Sequence, residues 1–174
     1  MNIYEALEFL KKHQPLPTDE QISANEIDTF NKVMNYFIDN PDERCIPLMM
    51  NAFGDEDGFG VYQLCDDVFN KYEPSKVMPH IKLALTSEYY GVRYWASQWA
   101  MDINDIGLFP ELKLMLQNPI DEEAHYYCVA ALMDIWNKIP ETEVSDTIIH
   151  FGSLSTNPDI LELIEEHKNV LAGL

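Results

Sequence analysis

The chain has 174 residues, 47% of them hydrophobic and 11% aromatic, which is ample for the core of one domain and unlike a disordered chain. Lys and Arg number 11 against 30 Asp and Glu, a formal charge of -19. Phosphate backbones and anionic lipid surfaces both need a basic patch, so this balance argues against nucleic acid and membrane as partners and favours basic proteins or cations.

In chain order, Ile3, Leu7 and Leu10 fall at helical spacing and predict a first helix, ended by Gln14-Pro15-Leu16-Pro17. Ile27, Phe30, Met34, Phe37 and Ile38 line a second, ended by Asn40-Pro41. Three similar stretches follow at 45–53, 77–85 and 108–116, each with an apolar residue before a proline and apolar residues at helical spacing after it. The prolines stand at 47, 79 and 110, intervals of 32 and 31. Polar turns come next, at Gly54-Asp55-Glu56-Asp57-Gly58, Thr86-Ser87-Glu88 and Gln117-Asn118-Pro119.

A second amphipathic segment follows each turn. Gly60-Val61 aligns with Gly91-Val92, and Met101-Asp102-Ile103 with Met133-Asp134-Ile135, at intervals of 31 and 32. Val92, Trp95, Ala96, Trp99, Ala100 and Ile103 make one apolar stripe, and Ala124, Cys128, Ala131, Leu132 and Ile135 make another. At this spacing Trp95 and Trp99 are core residues. The segments 144–151 and 158–171 predict a terminal pair, with Asn157 as N-cap and Pro158 at the first helical position. No segment alternates as a strand does. A helix–turn–helix unit of about 32 residues, clearest over 41–72, 73–104 and 105–138, predicts an all-α fold. The expected architecture is an α-solenoid of about five antiparallel helical pairs, forming one domain over 1–174.

Ile46-Pro47-Leu48-Met49, Met78-Pro79-His80-Ile81 and Phe109-Pro110-Glu111-Leu112 resemble the proline-containing first helix of HEAT-like repeats. Gly91-Val92-Arg93-Tyr94-Trp95-Ala96 resembles their second helix, where a Val-Arg pair precedes an alanine, although Tyr62 and His125 stand at the Arg93 position in the other copies. The likeness covers roughly residues 41–138.

Chemistry-bearing motifs are sparse. The iron-dependent hydroxylases built from HEAT-like repeats carry several His-Glu pairs; this chain has none, and only Glu166-His167 in the reverse order. DNA glycosylases of similar architecture present a cationic groove, which a charge of -19 does not suit. The five histidines, His13, His80, His125, His150 and His167, show no HxxxH pairing and read as scattered surface or partly buried side chains. If Gly58 took the glycine position of a calcium loop, Leu64 would stand where a bidentate Glu is needed, so Asp55-Glu56-Asp57 reads as a solvated turn or part of a partner surface. No catalytic residue, metal site or cofactor is expected. A HEAT-like lyase that attaches chromophores would need residues that are not found here. Cys45, Cys65 and Cys128 lie far apart and read as free buried thiols of a reducing compartment. With no basic, uninterrupted leader and no apolar run near the ~20 residues of a membrane span, a cytoplasmic protein is expected.

The charge is uneven. Residues 73–104 carry three acids and three bases, whereas the segments on either side carry a large acidic excess. In stacked helical pairs the second helices line the concave side, and the face opposite each apolar stripe is then the candidate partner surface. It offers Tyr62, Asp66 and Asp67, then Arg93, Tyr94 and Asp102, then Tyr126 and Asp134, with Gln63, Ser97, Gln98, His125 and Val129 among them. Asp55, Glu56 and Asp57 extend it. Aromatic anchors and carboxylates are the ingredients of an interface with a Lys- and Arg-rich protein. In size, acidity and repeat pattern the chain is similar to the immunity proteins of contact-dependent inhibition and related polymorphic toxin systems. That resemblance implies a non-enzymatic inhibitor that occludes the active site of a basic, nuclease-type toxin; the alternative is an intracellular adaptor of HEAT-like repeats.

Overall fold

Asn2 and Glu5 open the chain with a capping box: the Asn2 carboxamide accepts from the Tyr4 and Glu5 amides at 3.0 and 3.1 Å, and the Glu5 carboxylate accepts from the Asn2 amide at 2.8 Å. Three orphan donors of a helix start are thereby satisfied, and α1 runs over Ile3–Lys12 with Ala6, Leu7 and Leu10 buried. Ser23 and Glu26 repeat the device for α2, Ala24–Asp39, which buries Phe30, Val33, Met34 and Phe37. The computed structural model describes residues 1–118 and 122–173. Among the described residues there are ten α-helices, two 3-10 turns and no strand, so the fold is all-α. The chain divides into two compact units, Met1–Trp95 and Ala96–Leu174, with the boundary inside one helix.

The first unit continues with α3, Cys45–Met50; a 3-10 turn, Tyr62–Leu64; α4, Cys65–Phe69; α5, Pro74–Leu85; and the opening turns of α6, Tyr90–Ile103. In it α1 packs on α2 and α3, α3 on α5, and α2 on α4. Gln14 ties the linker after α1 to the core by donating to the carbonyls of Leu10 and Leu48 at 2.8 and 2.6 Å. The Cys65 thiol donates to Met34 Sδ at 3.2 Å, joining α4 to α2. The three aligned prolines take different places. Pro47 and Pro110 sit in the first turns of short helices, where the missing amide costs nothing, whereas α5 starts early at Pro74 and carries Pro79 in its interior.

The first repeat departs most from expectation. Gly60-Val61 does not start a helix as Gly91-Val92 does, because Gly58, Phe59 and Gly60 all adopt left-handed φ of 59°, 54° and 81°. Helical hydrogen bonding cannot pass through three such residues, so the second segment shrinks to the 3-10 turn and the five residues of α4.

The second unit holds the rest of α6, a 3-10 turn at Ile106–Leu108, α7 (Phe109–Gln117), α8 (Glu122–Lys138), α9 (Thr142–Gly152) and α10 (Pro158–Ala172). Here α7 packs on α8 and α9, α8 on α9 and α10, and α9 on α10. The expected turn at Gln117-Asn118-Pro119 is described as far as Asn118; Pro119 lies outside the described residues. The predicted stripes are found. Val92, Trp95, Ala96, Trp99 and Ala100 are buried on α6, as are all five predicted residues of α8, while Ile103 is half-buried. Asn157 accepts from the Asp159 amide at 2.9 Å and Pro158 opens α10, as predicted.

All three cysteines are buried and free. Burial pushes the Cys45 thiol up to about 11 and also raises those of Cys65 and Cys128. The histidines need one correction: His13 and His167 are core residues at 7% and 2% exposure.

Candidate functional site

The loop 54–61 is built around Tyr62. The sequence placed Tyr62 on an outward face, but its ring is fully buried, edge-on to Phe30, Phe53 and Trp95 at centroid distances of 5.5, 5.2 and 5.9 Å. The hydroxyl accepts from the Gly54 amide at 3.2 Å, and burial pushes its pKa up to about 12. Tyr62 is therefore a core residue and not a surface anchor. Ser97 and Val129, expected on the same outward surface, are also fully buried.

Gly58 lies directly on the Tyr62 ring, where any Cβ would come within 2.5 Å of Cε1, and this contact brings the acidic turn over the aromatic cluster. Further bonds hold it there. The Glu56 carbonyl accepts from Trp95 Nε1 at 3.2 Å, and Asp55 Oδ1 accepts from the Gly91 amide at 3.3 Å. Asp19 closes the other side, its two carboxylate oxygens accepting from the Gly58 and Phe59 amides at 3.1 and 3.4 Å, while its own amide donates to the Glu56 carboxylate. Burial raises the Asp19 carboxyl above the usual range; the bond from Phe59 opposes the shift, and the charges of Glu56 and Asp57 add to it.

The pinned turn presents Asp55, Glu56 and Asp57 to solvent. At its tip the Phe59 side chain is 66% exposed, on backbone of φ 54°. A bulky residue in the left-handed region costs roughly 1–2 kcal/mol, and an exposed ring recovers little of it by burial. Beside the turn, Tyr94 is half-buried, edge-on to Trp95 at 5.6 Å and tilted against Tyr90 at 5.9 Å. Arg93 folds back, its Nη1 donating to the Ser87 carbonyl at 2.7 Å. Thus Asp55 and Glu56 tie the turn to the first turns of α6, where Tyr94 packs on Trp95, with Arg93 bonded to its own loop. Asp66 and Asp67 are exposed on α4.

In the second unit, Asp102 and Asp134 are exposed on α6 and α8. Tyr126 is half-buried, edge-on to Tyr127 at 5.6 Å, and the two rings line a cleft of about 330 Å³ with Glu123, Asn157 and Asp159. Ser145 and His167 share a hydrogen bond of 2.8 Å beneath the edge of Trp136, whose ring lies 4.6 Å from the imidazole. Both partners are buried, so this hydroxyl–imidazole pair fastens α9 to α10 away from solvent. Among the described residues no group of three His, Cys, Asp or Glu side chains is placed to hold a metal ion, and no helix is long and apolar enough to cross a membrane.

Phe59 and Asp19 belong to this turn without standing among the residues expected on the partner surface. A glycine on each side of Phe59 was the available signal for a left-handed turn with an aromatic tip; Asp19, 39 residues before Gly58, carried none. The chain matches no family model, no curated protein and no solved structure.

Proposed function

We propose that the chain is a non-enzymatic protein-binding module whose partner is a basic protein, and that it acts as an immunity protein, occluding the cationic active site of a nuclease-type toxin in the cytoplasm. The observation that carries this reading is the surface of the first unit, where three exposed carboxylates share with Phe59 a turn that is bonded to Gly91 and Trp95 of α6, the helix that carries Tyr94. A nuclease keeps Lys and Arg in its substrate groove. A partner with a charge of -19 is drawn to that groove at long range, and aromatic side chains supply contact area once the surfaces meet.

In the same reading the helices are five stacked HEAT-like pairs. Support comes from alternate helices meeting within each unit: α1 with α3, α3 with α5 and α2 with α4 in the first, and α7 with α9 and α8 with α10 in the second. Asp66 and Asp67 then extend the acidic surface of the first unit, and Asp102, Tyr126 and Asp134 are the proposed partner contacts on the second unit taken by itself.

The test is affinity capture from the source organism's lysate at low and high salt, followed by a nuclease assay on what elutes. The expected result is one small basic protein, released by salt, that degrades nucleic acid when free and stops when this chain is restored. Reversing Asp66 and Asp67 to Lys is expected to slow association and reduce its salt dependence, with the fold intact. Several unrelated neutral partners would instead make the chain an adaptor. Affinity unchanged by both salt and charge reversal would rule out the electrostatic account.

A further inference from the structure

We infer that Phe59 is the anchor of the binding surface, a ring on fixed backbone that enters an apolar pocket on a basic protein while Asp55, Glu56 and Asp57 pair with Lys and Arg around that pocket. This rests on the protein-binding reading above and specifies which residue carries it.

Solvation and the amides of Gly91 and Asp19 account for the carboxylates on this turn; neither accounts for the ring. At φ 54° the turn is served best by Gly or Asn, and among the described residues Phe59 is the only bulky one at a left-handed position, the others being Gly58, Gly60, Asn104 and Gly173. Its side chain is 66% exposed, so it does not repay the backbone cost by packing. Strained residues that the surrounding structure holds in place mark functional positions. The holding is explicit here: Asp19 accepts from the Phe59 amide itself, Glu56 accepts from the Asp19 amide, and Trp95 donates to the Glu56 carbonyl. Backbone held in this way loses little freedom on docking, which lowers the ordering cost of using the aromatic side chain as an anchor.

Charge complementarity selects the occupant. Asp55, Glu56 and Asp57 are exposed on the turn that carries the ring, so an anionic lipid surface or the same turn of a second copy would be repelled. A protein pocket with an apolar floor and a Lys- and Arg-rich rim satisfies both features.

The experiment selects a displayed random-peptide library on the full-length chain and measures the enriched peptides against three variants: Phe59→Asn, Phe59→Trp, and the triple change Asp55→Asn, Glu56→Gln and Asp57→Asn. Expected are peptides that place an apolar residue beside Lys or Arg, about tenfold weaker binding to Phe59→Asn, recovery in Phe59→Trp, and weaker salt dependence in the triple variant. Asn suits the left-handed backbone, so Phe59→Asn is expected to melt no lower than the parent, and weaker binding cannot then be ascribed to unfolding. Peptides that bind Phe59→Asn as tightly as the parent overturn the anchor role. If such peptides instead lose affinity on reversal of Asp66 and Asp67, the basic-partner reading stands without Phe59. If no basic peptide is enriched, both fall.

Discussion

Gly91 packs against Gly54 so closely that a Cβ on Gly91 would stand 1.7 Å from the Gly54 carbonyl oxygen. The first turn of α6 thus meets the start of the acidic loop backbone to backbone, and the Asp55 side chain takes the Gly91 amide at the same place. Neither backbone can yield as a flexible side chain would. Gly91→Ala is therefore expected to destabilise the chain by about 3 kcal/mol, the upper end of the usual overpacking cost, read as a lower denaturant midpoint. Gly60→Ala makes the comparison: nothing lies within 4 Å of its Cβ, so only the left-handed backbone at φ 81° resists, at a cost of about 1 kcal/mol. Equal effects of the two changes would mean that the close approach is absent.

Tyr62 supplies a second check on the loop. Tyr62→Phe removes the acceptor of the Gly54 amide and leaves that donor buried, which is expected to cost about 1–3 kcal/mol. Tyr62→Ala also empties the space between Phe30, Phe53 and Trp95, and about 3–5 kcal/mol is expected from thermal or urea unfolding. A near-neutral alanine variant would return Tyr62 to the surface.

Phe59 is expected to respond in the opposite direction. Phe59→Gly relieves the left-handed strain but loosens the unfolded chain, whereas Phe59→Asn tolerates the same backbone without adding that entropy. Stability should therefore rise in Phe59→Asn by up to about 1 kcal/mol and change less in Phe59→Gly. A clear loss in Phe59→Asn, seen in a melting curve, would assign the ring to the core.

The buried His167 makes the fold sensitive to mild acid. Burial holds its imidazole below the ordinary histidine range, and burial does the same for His80 and His125. The unfolded chain then binds protons from about pH 6.5 downward while these folded histidines resist them, so their contribution is full above that pH and declines as the pH falls. Relief of acidic self-repulsion on protonation works against this trend, so the informative quantity is a difference between variants. Urea midpoints of the parent are expected to fall more steeply than those of His167→Gln between about pH 7 and 5, with His80 and His125 leaving some slope in the variant. Parallel curves would show that His167 does not titrate differently on folding.

The helical frame is legible in the residue order alone, because its signals are local. The stripes on α6 and α8 come from side chains three and four residues apart on one helix, and Asn157-Pro158 acts within a single turn, so periodicity and capping were enough to place them. The acidic turn at 55–57 was legible for the same reason: flanking glycines and consecutive carboxylates make a solvated bend. Tertiary structure decided which way Tyr62 faces. Aligning Gly60-Val61 with Gly91-Val92 carries a helical phase into the first repeat, but three left-handed residues reset that phase and turn the ring inward. The partners of the loop were equally out of reach, since Asp19, Gly91 and Trp95 meet it only when distant segments pack, and no local pattern encodes a contact across 36 to 40 residues. The same holds for Ser145 and His167, whose bond exists because α9 and α10 bury one face against each other.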